Sequence, residues 1–533
     1  MTDFILPLVP VAVSLFAAKG ILHYFQLESY QFPGYFRTLN RNRRHAWSPG
    51  LFAAVFSLAL YYLYDVLALR DTAQWLKTCV QMMVLPVAAL CGWLIARLLH
   101  EKNSKKKLVY TSRIKRLYGA LFLVAALAGF GLAQSAIGIL PAFWPLALPL
   151  AVALAGLLAW PVEKIIAEFY FRDARRKLLS IPGLVRVGIT GSYGKTSVKH
   201  ILGALLSEKY PTLITPASYN TPMGVSRAIR DQLRPSHQVF VGEMGARHVG
   251  DIREMCRLVR PAIGILTSVG PQHLDTFKTV ERVAKTKYEL IDALPQTDSH
   301  SYFFDDKGIC AGLYERTDKP KTLVGMEPGR ADVWCENGFV SSAGSRFDLH
   351  IKGKGSIECH TALLGEHNIQ NILLAAAVAS GLKLTLRQIA NGIGRLPPVK
   401  SRLELIARPG CYTIINDGFN SNPVGAKAAL KVLSAFPARR IIVTPCMVEL
   451  GDKEAEYNRA FGRDIAKSAD IAVVIGKKRA VPIIEGLKEG GFAPEQIFQA
   501  GSLAESTAVL NCVVKPSDTV LYENDLPENY QEA

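Results

Sequence analysis

The sequence predicts an N-terminal α-helical membrane domain followed by an α/β portion. Three observations predict it. Long apolar runs fill the first 160 residues and are absent afterwards. The loops between those runs alternate between strongly basic and nearly uncharged. Beyond residue 181 a strand, a glycine loop and a helix follow one another, and strand and helix patterns then alternate. At roughly 150 residues per domain, a chain of 533 residues suggests three or four domains. The boundaries read as 1–161 for a multi-span anchor, 162–180 for a basic linker helix, 181–400 for a central ATP-binding domain and 401–533 for a Rossmann-like C-terminal domain.

Five apolar runs, at about 4–22, 51–69, 79–96, 118–136 and 139–160, approach the roughly 20 residues a helix needs to cross a bilayer. Lys19 and Asp65 lie within the first two. Pro141, Pro145 and Pro149 lie in the fifth, where neighbouring helices can satisfy the freed carbonyls. Met1, Thr2 and Asp3 offer no basic region, so no cleavable signal is read. Arg37, Arg41, Arg43 and Arg44 follow the first run; Lys102, Lys105, Lys106, Lys107, Arg113, Lys115 and Arg116 follow the third; Lys164, Arg172, Arg175, Arg176 and Lys177 follow the fifth. The other two loops hold only Arg70 and Lys77. The positive-inside rule then puts the N-terminus outside and everything after residue 161 in the cytoplasm, at the cell membrane. The segment VEKIIAEFYFRDARRKLLS (162–180) reads either as a basic amphipathic helix lying on headgroups or as a connector with a solvated basic face.

The net charge of +17 sits largely beside the apolar runs, so membrane lipids rather than nucleic acid are the expected partners. Nine scattered cysteines form no CxxC pair and indicate neither a zinc ribbon nor a disulfide framework.

Val185 to Thr190 reads as a buried strand. Gly191-Ser192-Tyr193-Gly194-Lys195-Thr196-Ser197 follows, and then a helical pattern to about Lys209. This is the setting of a phosphate loop. Backbone N–H groups of such a loop converge on phosphate oxygens, and the helix start adds its dipole. Gly191, Ser192, Gly194, Lys195, Thr196 and Ser197 are therefore candidate ATP contacts. Lys195 would reach the β- and γ-phosphates, and the Thr196 hydroxyl would meet Mg²⁺. The usual first glycine of such loops is Ile189 here.

TGSYGKTSVKHIL resembles the TG-x-x-GKT-[ST] loop of the Mur ligases, which also lacks that glycine. The resemblance runs to about residue 500 and comes nearest to the branch that adds D-alanyl-D-alanine to a UDP-muramoyl tripeptide. It implies an ADP-forming, amide-forming enzyme that uses ATP and Mg²⁺. Its partners would be a UDP-muramoyl-peptide-like or lipid-linked carboxylate and an amino acid or dipeptide amine.

Two further strand ends carry polar groups, the position where open α/β sheets bind ligands. They are Glu243-Met244-Gly245-Ala246 and Gly270-Pro271-Gln272-His273-Leu274. By residue type alone His273 is a polar loop residue. The resemblance makes Glu243 and His273 metal ligands. Lys285 and Lys287 both read as helix surface charges. The family's carbamylated lysine matches either, and Lys287-x-Glu289 matches better. Asn220, in SYNTPMG, resembles a family loop near the phosphates. Asn368 and Asn371, in LGEHNIQN, read as helix caps, and the resemblance implies nucleotide contacts. Arg402, after Pro397-Pro398, matches a phosphate-contacting arginine. Asp417, Asn420 and Asn422, in DGFNSNP, match a segment at the junction of nucleotide and amine; Asp417 is read as catalytic and the two asparagines as substrate-binding. Met447-Val448-Glu449-Leu450-Gly451 resembles a family M-x-E-L-G loop. The last strand departs from the pattern: acidic residues run from Asp518 to Glu528 where the family places a K-G-S-R-like segment.

Rival readings are a ligase of the same mechanism that extends poly-γ-glutamate or a folate tail, and a membrane transport ATPase. The last lacks a hydrophobic-strand–Asp partner for its phosphate loop.

Overall fold

In a computed structural model, residues 6–69, 74–99, 107–135, 137–216, 219–406, 411–418 and 421–525 are described. The chain forms two compact units, one reaching Glu168 and the other beginning at Phe169.

The first unit is helical. Helices Arg43–Leu69, Gln74–Leu99 and Ser112–Ala133 contain apolar stretches long enough to span a bilayer, and so does Leu140–Leu179. The first apolar run is a broken pair, Leu8–Ala17 and Lys19–Leu27, bent by 46°. Among the described residues four helices therefore qualify by length and composition, or five if the bent pair counts as one. Small residues let these helices approach closely: a Cβ on Gly92 would lie 2.3 Å from the carbonyl oxygen of Val13.

The basic segment 162–180 is helical, but it continues the preceding helix and does not begin one of its own. One helix runs unbroken from Leu148 to Leu179, with Pro161 inside it. Phe171, Ala174 and Leu178, which already belong to the second unit, are buried in one cluster with Leu184, Val225, Ile229 and Phe240. Arg230 holds this helix through Asp173 at 2.7 Å and lies over the Tyr170 ring.

The second unit holds two sheets. The first has nine strands in the order β2-β3-β1-β4-β5-β6-β7-β8-β9. These are β1 Val185–Thr190, β2 Thr212–Ile214, β3 Val239–Glu243, β4 Ile263–Leu266, β5 His300–Phe304, β6 Lys321–Val324, β7 Val333–Ser341, β8 Gly344–Ile351 and β9 Gly355–Thr361. Strands β1–β7 pair in parallel, and β7–β8–β9 form an antiparallel meander that the motif reading left unassigned. The central strands are buried on both faces, which explains their continuous apolar runs. In β3 the side chains alternate: Val239 and Val241 enter one core with helix Lys195–Ser207, and Phe240 enters the opposite core. That helix buries Val198, Ile201, Leu202, Leu205 and Leu206, the spacing of one helical face.

The second sheet has the order β10-β11-β15-β12-β13-β14, from β10 Glu404–Ile406, β11 Thr413–Asp417, β12 Arg440–Pro445, β13 Ile471–Ile475, β14 Ile497–Ala500 and β15 Thr519–Glu523. All pairs but β10–β11 are parallel. Ile441 and Val443 face one core and Ile442 the other.

Candidate active site

Strand β1 lies between β3 and β4, so the chain leaves it first to one side and then to the other. Loops part at such a switch point and leave a crevice at the C-terminal strand ends. The glycine loop occupies it. Gly194, with φ 80°, starts helix Lys195–Ser207, and no side chain caps the start. The first N–H groups of the helix thus point into the crevice without a side-chain acceptor. A Cβ on Gly194 would lie 2.6 Å from Asn371 Oδ1, so only glycine fits. The loop is strapped to the segment after β4. Ser192 N–H donates to the Ser268 carbonyl at 2.8 Å, Tyr193 N–H to Ser268 Oγ at 2.9 Å and Tyr193 Oη–H to the Pro271 carbonyl at 2.8 Å. The Ser192 hydroxyl exchanges hydrogen bonds with Gly270, so it braces the loop, and the loop's backbone is left for phosphate. Ser197 is buried in the first turn.

Lys195 curls back, donating from Nζ to the carbonyls of Gly191 at 2.6 Å and Ser192 at 3.2 Å. Burial lowers this ammonium to about 8; Glu243 opposes the shift and Arg402 adds to it. The Thr196 hydroxyl donates to the Glu243 carboxylate, 3.0 and 3.1 Å from its two oxygens. Asn220 Nδ2 reaches the same group at 3.4 Å. Lys199, fully buried one turn into the helix, forms an ion pair with Glu243 at 3.0 Å. Burial alone would raise the Glu243 carboxyl, but Lys199 and Lys195 hold it below the ordinary value. Lys199 is a fixed position of none of the sequence motifs. Its spacing of three from Thr196 was the available signal, since such residues share a helix face.

Thr196 and Glu243 suit Mg²⁺. Both offer hard oxygen donors at one point, and Mg²⁺ takes few protein ligands beside water and phosphate. Among the described residues no group of three or more His, Cys, Asp or Glu side chains could hold a metal. Among the described contacts His273 is not bonded to Glu243, although two groups can share a cation without a direct bond. Its Nδ1 instead bonds the Glu449 carboxylate, from the loop after β12.

The two candidate lysines differ in burial. Lys285 is exposed, whereas Lys287 is buried on the inner face of helix Val280–Asp292. Burial first, then Lys195, pushes its amine well below the ordinary lysine range. Glu289 caps helix Asp251–Val259, accepting from the N–H groups of Gly250 and Arg253 at 2.9 and 3.0 Å.

Asn368 donates to the Leu364 carbonyl at 2.8 Å, a local brace rather than an open contact, while Asn371 presents its oxygen to Gly194. Asn422 accepts from Gly425 N–H at 2.8 Å and caps helix Pro423–Ser434, so its carboxamide oxygen is already engaged. Asn420 lies outside the described residues. Arg402 sits between Ser401 and Leu403, at φ 55° and 48°. Two left-handed non-glycine residues in three positions store strain of the kind that clusters at functional sites. Asp417 and Glu243 both lie within electrostatic reach of Arg402. Asp417 accepts from Leu403 N–H at 3.2 Å, and burial raises its carboxyl to about 6 against the pull of Arg402. Beside it, across the β11–β15 pairing, Glu523 accepts hydrogen bonds from the Ser421 and Thr444 hydroxyls; burial raises it to about 8.

A phosphate loop at the switch point of a parallel sheet, followed by a second parallel sheet, defines a nucleotide-binding α/β enzyme. Residues 189–379 match the Mur ligase middle domain, and 401–522 the Mur ligase glutamate ligase domain. The UDP-N-acetylmuramoyl-tripeptide–D-alanyl-D-alanine ligase of Mycobacterium tuberculosis (strain H37Rv) is 31% identical over 364 residues, spanning 64% of this chain and 70% of that protein. The crystal structure of MurF from Acinetobacter baumannii superposes with a TM-score of 0.61 at 26% identity, over 67% of this chain and 77% of that one. MurF from Thermotoga maritima in complex with ADP gives 0.60 at 25%, over 67% and 80%. The chain belongs to the Mur ligase family and is an ATP-dependent, amide-bond-forming ligase.

Proposed function

We propose that this ligase acts in peptidoglycan-precursor synthesis, joining a UDP-muramoyl-peptide-type carboxylate to a dipeptide or amino acid amine while anchored in the cytoplasmic membrane. The observation that carries the reaction is the uncapped helix start at Gly194, with Lys195 and the Thr196–Glu243 pair beside it. The substrate class rests on the likeness to the D-alanyl-D-alanine ligases.

A carboxylate oxygen attacks the γ-phosphorus of ATP, the bond to ADP breaks, and an acyl phosphate forms. The amine then attacks the acyl carbon, phosphate leaves, and the amine sheds a proton. The loop's N–H groups hold the triphosphate, and Lys195 exchanges its two loop carbonyls for phosphate oxygens. Mg²⁺ held by Thr196 and Glu243 would neutralise charge on the transferred phosphoryl group. Arg402 supplies a fixed positive charge from the second sheet. The lowered Lys287 favours the neutral amine, the form that reacts with CO₂, in keeping with its expected carbamylation. The test is phosphate release and mass-spectrometric detection of a new amide, with UDP-muramoyl peptides and D-alanyl-D-alanine as substrates. ATP turnover with no amide across that panel would overturn the assignment.

The anchoring rests on the apolar helices and on side chains such as Met82, Leu90, Leu98 and Leu127, which face outward from the helical unit. A lipid-linked acceptor would give several spans a purpose, since one membrane helix already attaches a protein irreversibly. The test replaces residues 1–160 with one unrelated helix. Full rescue of a cell lacking the native protein would leave the bundle no specific role.

A further inference from the structure

Glu449 makes three contacts from the second sheet to the first. Its carboxylate accepts from Nδ1 of His273. The same carboxylate takes Arg247 Nη2 at 3.3 Å. Its carbonyl accepts from Leu274 N–H at 3.0 Å. Both partners of the central contact are strained: Glu449 has φ 64° and His273 φ 51°, neither being glycine. Left-handed backbone at a bulky residue persists only where surrounding contacts enforce it. The loop after β12 and the loop after β4 thus hold each other in conformations neither would adopt alone.

We propose that Glu449 is the positioning residue for His273, its carboxylate setting the imidazole ring for metal. A carboxylate on Nδ1–H fixes the tautomer and leaves Nε2 as the nitrogen with a lone pair to give. One half of the protein thereby supplies the orienting group for a ligand carried by the other. This rests on the reading of His273 as a site residue.

The experiment measures Mn²⁺ affinity, by electron paramagnetic resonance of the full chain with ADP, in Glu449→Ala, Glu449→Gln, Arg247→Ala and His273→Ala. Loss of an orienting partner typically weakens metal binding about 10–100-fold. Glu449→Ala should show that loss, His273→Ala at least as much, and the isosteric Glu449→Gln less. Arg247→Ala, which bonds Glu449 and reaches His273 only through its charge, should stay near wild type. Unchanged affinity in Glu449→Ala beside a loss in His273→Ala overturns the inference and spares the metal site. Unchanged affinity in both overturns the reading of the site and this inference with it. Equal losses in Arg247→Ala and Glu449→Ala would show that seating the loop, rather than orienting the ring, is what matters, and would also overturn it.

Discussion

The two sheets of the second unit present opposite chemistry at their C-terminal ends. At the first, Lys195, Lys199 and Lys287 surround one carboxylate, Glu243. Burial lowers each of these lysines. At the second, Asp417 and Glu523 stand side by side on β11 and β15, and burial raises both. Burial disfavours charge of either sign, so each cluster is held partway to neutrality and has most to gain from a partner of opposite charge. A triphosphate suits the first. The cationic amine of a ligase suits the neighbourhood of the second.

Removing the hub of the basic cluster should have the largest effect. Glu243→Ala breaks the buried ion pair with Lys199, and breaking such a pair costs about 3–5 kcal/mol. Thermal unfolding would show it, along with a raised Mg²⁺ requirement. A fall in stability as large for Glu523→Gln would erase the contrast between the clusters. Lys195→Ala should cut ATP turnover by about 10²–10³-fold or more, as loss of one transition-state donor does, with the fold intact by circular dichroism. Turnover near wild type would remove the phosphate loop from the mechanism.

The lowered Lys195 gives a subtler test. With its ammonium at about 8 in the free protein, the lysine is mostly charged below that value and mostly neutral above it. A triphosphate binds the charged form. ATP affinity should therefore be full below about pH 8 and decline as pH rises through it, by up to about tenfold per unit. Calorimetry near pH 9 in buffers of different ionisation enthalpy should show proton uptake on binding, absent in Lys195→Met. The smallest effect belongs to Glu523. Its folded value, about 8, lies above the ordinary 4.5. The folded state then keeps a proton that the unfolded chain sheds between those values. That stability is fully present below 4.5 and is lost as pH rises through about 8. Glu523→Gln should flatten the decline of melting temperature between pH 5 and 9; an unchanged slope would show that Glu523 does not titrate as proposed.

The glycine loop was legible because its signal is local. Val185–Thr190, the loop and the helix after it follow one another without a gap, and the strand forms over the residues its pattern marks. Lys287 matches the family's lysine better than Lys285 by its Lys-x-Glu pattern, whereas its burial comes only from the fold. The partners of Glu243 and His273 were not legible, because Lys199 and Glu449 reach them across 44 and 176 residues of sequence. The β7–β9 meander escaped because strands such as WCENGFVS mix polar and apolar residues without strict alternation. The linker's start at 162 was not legible, because the helix runs on through Pro161 without a break.

That helix decides where the chain can be cut. A soluble fragment beginning at residue 181 would discard Phe171, Ala174 and Leu178, which close one face of the first sheet's core. It would also leave Arg230 without Asp173 and Tyr170. Truncating one buried phenylalanine to alanine costs about 3–5 kcal/mol, and this cut removes a whole turn-spanning patch. A fragment that starts before Phe169 keeps the patch. The segment that connects the units is thus also the first piece of the catalytic unit to leave the ribosome, and the sheet assembles against a helix made before any of its strands.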